Sequence, residues 1–127
     1  MDFPFDPREK LIVVRAELWG PNGSGVLRLA LDTGATDTLV NAGMLVAVGC
    51  DPALSPDRVQ VTTGSGVVFA PRVILDRITA LGQTHSAFPV LGHTLPASAS
   101  VDGLLGLDFL RGLTLTVDLR AGQVTLD

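Results

Sequence analysis

Residues 30–38 read ALDTGATDT. A carboxylate, Asp32, stands at the end of an apolar run and is followed at once by Thr33, Gly34 and Ala35. Leu27, Leu29 and Leu31 alternate ahead of it, as on a strand with one buried face. A buried strand end is a costly place for a charge unless hydrogen bonds meet it there. Asp32 is therefore either an ordinary turn carboxylate or a side chain that the turn is shaped to present.

The flanking sequence sets this turn in a β-rich chain. KLIVVRAELW (10–19) reads as a strand, GPNGSG (20–25) as a hairpin loop and VLRLALDTG (26–34) as the return strand. AGMLVAVG (42–49) has the length of about two helical turns, and CDPALSPD (50–57) is irregular. Residues 58–91 are strand-rich, with one turn at 64–66 and another near Leu81, Gly82 and Gln83. Pro71 falls inside a strand-like run and marks an edge or an interruption. Residues 92–100 read as a loop. VDGLLGLDFLRG (101–112) passes from strand through a Gly hinge to a short helix, faintly echoing the order seen over 27–49. The tail, 113–127, alternates around RAGQ and reads as a last hairpin. Residues 1–9 carry two prolines and four charges and read as a flexible N-terminal arm, leaving one domain over 10–127. Short strands at regular spacing with one or two short helices predict an all-β fold, a small closed barrel.

Composition narrows the function. The 127 residues suit one domain with a core of Val, Leu, Ile and Ala, since there are five Phe, one Trp and no Tyr. Net charge is −4 and no basic stripe occurs, which argues against a nucleic-acid partner. No apolar run reaches the length of a membrane span, and MDFPFDPREK lacks the order of a signal peptide, so no membrane association and a cytoplasmic location are expected. One cysteine, Cys50, excludes an intrachain disulfide and has no partners at metal-ligand spacing.

Three elements then fall in a telling order. LALDTGATDTLV (29–40) comes first, VQVTTGSGVV (59–68) is a Gly-tipped hairpin, and DGLLGLDFL (102–110) closes on a Gly before a short helix. Together they resemble the retropepsin-like aspartic proteases, the single-domain relatives of pepsin, in the manner of a prokaryotic member. The resemblance covers roughly residues 10–127. Leu104, Leu105 and Gly106 match the second signature of that family, about 70 residues after the first.

The resemblance implies an aspartic endopeptidase that acts as a two-fold homodimer on extended peptide or protein substrates. Its chemistry needs two carboxylates within reach of one water. Like charges that close cannot both ionise easily, so one proton is shared. The ionised member takes a proton from water while the protonated one polarises the scissile carbonyl, with no cofactor, no metal and no covalent intermediate. Asp32, Thr33 and Gly34 are the implied catalytic triplet: Gly34 offers its N–H to the carboxylate, and the Thr33 hydroxyl locks the two active loops across the dimer axis. Ala35, Thr36 and Asp37 are implied to line the cleft. Many relatives carry Asp where this chain has Thr36. Thr63, Gly64, Ser65 and Gly66 would form the tip of a hairpin that closes over substrate, and Leu104 and Leu105 would pack under the active loop, with Gly106 permitting close approach.

Counting points to the dimer. Only one Asp-Thr-Gly or Asp-Ser-Gly occurs, Asp102-Gly103 lacks the hydroxyl residue, and 127 residues are too few for a two-lobed enzyme. The second carboxylate would come from a second copy. The resemblance makes the hairpin at 113–127 a candidate part of that interface, because the family pairs terminal strands there.

Other residues carry plainer readings. The 62–66 turn is equally a simple hairpin, and Asp37 equally satisfies backbone N–H groups after the loop. Asp108 is expected to cap or brace the short helix. His85 and His93 lie in or near loops and read as surface residues, Trp19 as a packing residue, and Asp102 and Asp118 as turn and strand-face carboxylates. A phosphate-handling enzyme of the actin-like or sugar-kinase kind would need two much larger domains, and no G-x-x-x-x-G-K-[ST] loop occurs. Two rivals stay open: a retropepsin-like dimer that grips peptides with little or no cleavage, and a processing protease with one dedicated substrate.

Overall fold

The computed structural model describes residues 1–63 and 66–127. The apolar alternation becomes ten strands: β1 (Asp2–Pro4), β2 (Val13–Gly20), β3 (Gly23–Leu31), β4 (Leu39–Val40), β5 (Arg58–Thr63), β6 (Gly66–Ala80), β7 (Gln83–Gly92), β8 (Gly103–Leu105), β9 (Leu115–Asp118) and β10 (Gln123–Leu126). Two short α-helices, α1 (Ala42–Ala47) and α2 (Leu107–Leu110), and single 3₁₀ turns at Pro52–Leu54 and Ala97–Ala99 complete the described residues.

Six strands close on themselves in the order β2-β3-β8-β4-β7-β6, with β2 pairing back to β6. Closure removes free edges from the barrel. Its interior holds Leu18, Leu27, Leu29, Leu75, Ile78, Val90 and Leu105, each almost fully buried. This is the all-β barrel expected, with two short helices.

The strand order around β8 positions the site. β8 lies parallel to β3, with Ala30 opposite Leu104, and antiparallel to β4, with Leu39 opposite Leu104. The chain therefore leaves β3, loops over the end of β8 and returns as β4 on its far side. Residues 32–38 are that loop. The insertion is tight: a Cβ on Gly103 would collide with the Leu39 carbonyl oxygen and sit 3.0 Å from Val40 Cα. Asp102 helps to seat β8, because Arg28 N–H donates to its carboxylate at 2.8 Å.

β6 runs unbroken through Pro71. It pairs with β5 up to Arg58–Pro71 and with β7 from Arg72–Leu91, so the proline sits where the strand changes partner. The β5–β6 hairpin continues beyond the barrel, because among the described residues β5 has β6 as its only sheet neighbour.

A second sheet, in the order β1-β10-β9, packs against the barrel. Here the flexible arm expected over residues 1–9 needs correction. Asp2–Pro4 pair with Gln123–Thr125, and Phe5 is buried in the core. Phe3 and Phe5 supply the apolar contact that orders the segment despite its prolines and charges. His85 also departs from the surface reading. It lies within β7 and packs on two rings, 4.6 Å from Phe109 and 5.3 Å from Phe88 between centroids.

Candidate functional site

Asp32 follows the last residue of β3, and its position is fixed by backbone bonds. Its N–H donates to the Leu105 carbonyl at 3.0 Å, and its own carbonyl accepts from Ala35 N–H at 3.2 Å. Its carboxylate Oδ1 accepts from Gly34 N–H at 2.9 Å. The turn thus bends the chain so that the amide two residues on meets the charge.

The segment after β8 clamps the turn from behind. Leu107 N–H donates to Ala35 O at 2.8 Å and Asp108 N–H to Thr36 O at 3.1 Å. Gly106 is needed for that contact: a Cβ there would lie 2.8 Å from the Asp37 carbonyl carbon and 2.9 Å from Ala35 O. Leu105 is fully buried beneath the turn. Leu104 differs from expectation. As its neighbour on a strand it points to the opposite face, and there it lines the cleft rather than packing under the loop.

Thr38 is the polar residue that the sequence reading missed. It is completely buried. Its Oγ1 donates to Asp108 Oδ1 at 2.7 Å and accepts from Gly106 N–H at 3.1 Å, while its N–H donates to both Asp108 oxygens at 3.0 Å. Asp108 also accepts from Phe109 N–H at 2.9 Å. Asp108 thus braces the start of α2, as expected, and ties it to the Asp32 turn as well.

A cleft of about 540 Å³ opens beside this turn. Asp32, Gly34, Ala35, Thr36 and Asp37 form its floor, and Gln60, Val61 and Ala70 of the β5–β6 hairpin border it. Leu39, Leu91, Leu95 and Leu104 make the rest mostly apolar, with exposed His93 on the rim. Val61 and Ala70 place the base of the hairpin over Asp32. Gly64 and Ser65 lie outside the described residues. Thr63 and Gly66 pair with each other across the hairpin. Thr33 is exposed and stands off the cleft of a single chain. Asp37 borders both the cleft and a second groove shared with Arg72 and Asp108. Gln60 and His93 carried no sequence signal, because they reach the cleft from β5 and from just past the end of β7, both distant from Asp32 in the chain.

No group of His, Cys, Asp and Glu suited to a metal ion occurs among the described residues. Cys50 lies on a separate groove, where burial, and then the negative charge of Asp76, push its thiol pKa up. No helix among the described residues is long and apolar enough to cross a membrane.

Comparison with known proteins fits this geometry. Residues 22–112 match the family described as "gag-polyprotein putative aspartyl protease". The match spans most of the chain, both signatures and the hairpin between them, and the chain belongs to this aspartic protease family. Among solved structures, it is similar to a retropepsin-like aspartic protease from Rickettsia conorii, with a TM-score of 0.72 at 17% identity over 99% of this chain and 88% of that one. The fold is therefore retropepsin-like. No curated protein sequence matches the chain.

Proposed function

We propose that the protein is an aspartic endopeptidase that works as a two-fold homodimer, with Asp32 of each chain forming the catalytic pair. The observation that carries this reading is the Asp32 turn, in a chain of an aspartic protease family: a carboxylate held by the Gly34 amide and opening onto a mostly apolar cleft. Within one chain, the hydrogen bond to Asp32 comes from the Gly34 backbone, and no second Asp-Thr-Gly exists to complete the dyad. The second carboxylate comes from a second copy, and exposed Thr33 faces its counterpart there.

The chemistry follows from the pair. One shared proton leaves one carboxylate to accept a proton from water and one acid to polarise the peptide carbonyl. The substrate lies extended in the cleft, its backbone met as an added strand and its apolar side chains by Leu39, Leu91 and Leu104. Ala35, Thr36 and Asp37 contact it from the floor. The hairpin, with Thr63, Gly64, Ser65 and Gly66 at its tip, covers it and excludes water. The catalytic domain spans 10–127, with the ordered segment at residues 2–5 added to its second sheet. A reducing, cytoplasmic setting suits the one free thiol, Cys50.

The test is cleavage of a diverse peptide library between about pH 4 and 7, wild type beside Asp32→Asn. The substitution keeps the shape and removes the ionisable group, so cleavage should fall by roughly 10²–10⁴-fold with the fold unchanged. Equal cleavage by both proteins would remove Asp32 from the mechanism. No cleavage by a confirmed wild-type dimer would favour a peptide-binding module or a protease with a single dedicated substrate.

A further inference from the structure

The cleft beside Asp32 holds few charged groups. Among the described residues that line it, only Asp32, Asp37 and His93 can carry a charge, and only His93 can be a cation. The two carboxylates belong to the turn on the cleft floor. The imidazole comes from the segment just past β7 and stands on the rim, exposed. Among the described residues it forms no ion pair.

An exposed histidine on a loose loop would be an ordinary surface residue. Here the backbone is held. Leu91 N–H donates to Thr38 O at 2.9 Å and His93 N–H to Val40 O at 3.0 Å, which carries the pairing with β4 past the end of β7. Thr94 Oγ1 then accepts from Ala42 N–H at 3.2 Å, and Leu95 N–H donates to Asn41 Oδ1 at 3.0 Å. Residues 91–95 are thereby stitched to 38–42, the stretch that continues from the Asp32 turn. The imidazole is offered to the cleft from a fixed frame, as a group that selects substrate must be.

The pattern along this segment defines what would fit. Leu91, His93 and Leu95 line the cleft, whereas Gly92 and Thr94 between them do not. Every second side chain therefore turns to the cleft, as along an extended strand. The wall reads apolar, imidazole, apolar. A side chain that matches it has a methylene stem to lie against leucine and an acceptor at its tip. The imidazole has an N–H to donate in either protonation state, and a carboxylate makes that bond stronger than an amide does. Glutamate meets both demands.

We propose that His93 is a specificity-determining residue, which makes the cleft select glutamate in the substrate at a fixed distance from the bond to be cut. The inference rests on the proposed peptide-cleaving site and names the side chain that this site prefers. Asp32 and Asp37 disfavour an acidic residue along the floor, so His93 confines it to one position. In a two-fold dimer the paired clefts carry two copies of His93, and the same preference recurs on each side of the scissile bond.

The test is a peptide library in which one position at a time holds Glu, Gln, Leu or Lys. At one position on each side of the cut bond, the wild type should cleave the Glu peptide with a kcat/KM roughly tenfold above the Gln peptide, the scale of one charge-assisted hydrogen bond near water. His93→Ala should erase that ratio. His93→Glu should favour Lys over Glu at the same position, which lost packing alone would not do. Both variants should fold, because His93 is exposed, and circular dichroism checks this. Binding of the same peptides to Asp32→Asn, followed by fluorescence anisotropy, reads the subsite without cleavage. A wild type that treats Glu and Gln alike, or a Glu preference that survives His93→Ala, overturns the subsite and leaves the Asp32 pair standing. Glu-selective binding that is lost with His93, in a dimer that cleaves nothing, upholds the subsite and overturns the protease reading.

Discussion

The Asp32 turn and the β5–β6 hairpin border the same cleft, yet they are held in opposite ways. The turn is bonded from behind at Asp32, Ala35, Thr36 and Thr38, through the backbone of 105–108 and the Asp108 carboxylate. The hairpin is held through β6 alone, since β5 has no other strand neighbour among the described residues, and it leaves Val67 and Phe69 52% and 65% exposed. The difference separates two tasks. A group that must meet charge at a fixed point gains from a preorganised frame. A wall that must admit an extended chain gains from having few contacts to break.

The fixed side of the comparison is broken most severely at Gly103. An added Cβ would collide with the Leu39 carbonyl and press on Val40 Cα, and both are backbone atoms of a strand locked on two sides. Overpacking usually costs about 1–3 kcal/mol, and here no side chain can rotate away. Gly103→Ala should therefore yield little folded protein, as measured by soluble yield and circular dichroism. A cooperatively folded Gly103→Ala protein would mean that β8 does not thread between β3 and β4 this closely.

Thr38→Val comes next. The substitution keeps the volume and removes the hydroxyl, leaving Gly106 N–H without its acceptor and Asp108 without its shortest donor. A buried polar group left unpaired costs about 1–3 kcal/mol, which urea titration would show as a lower midpoint at unchanged slope. Thr38→Ser should recover most of the loss. Cleavage should fall with the stability of the turn in the first variant and return in the second. A full loss in Thr38→Ser as well would shift the effect from the hydroxyl to the methyl group.

The contrast between the two regions also marks what the sequence could reveal. Asp32 and Gly34 were legible because a charge at a strand end needs an amide to meet it, whereas Leu105 and Gly106 were legible through the family's second signature. The barrel strands were legible from alternation. Thr38 was not, because its partner lies 70 residues away and nothing local separates a buried hydroxyl from an exposed one. Leu104 was expected under the loop with Leu105 because the family's second signature joins the two leucines, whereas strand geometry turns adjacent side chains apart. β1 was missed for a related reason. Three residues with a proline carry no period, and their partner strand is at the other end of the chain. His85 gave no signal because its aromatic neighbours, Phe88 and Phe109, come together only in the fold.

The hairpin side predicts the smallest effect, and that smallness is its test. Phe69 stands opposite Gln60 in the hairpin and is exposed, whereas Ala70, its neighbour, is buried. Phe69→Ser should change stability by no more than about 0.5 kcal/mol, the usual range for an exposed site. It leaves the β5–β6 backbone ladder and the cleft-lining Val61 and Ala70 in place, so the unfolding midpoint should barely move. A Phe69→Ser variant that lost as much stability as Thr38→Val would show that Phe69 is packed against something. The division between a braced turn and a lightly held wall would then fail. A variant with wild-type stability but altered cleavage would sharpen it instead, because the hairpin would be acting on substrate without contributing to the fold.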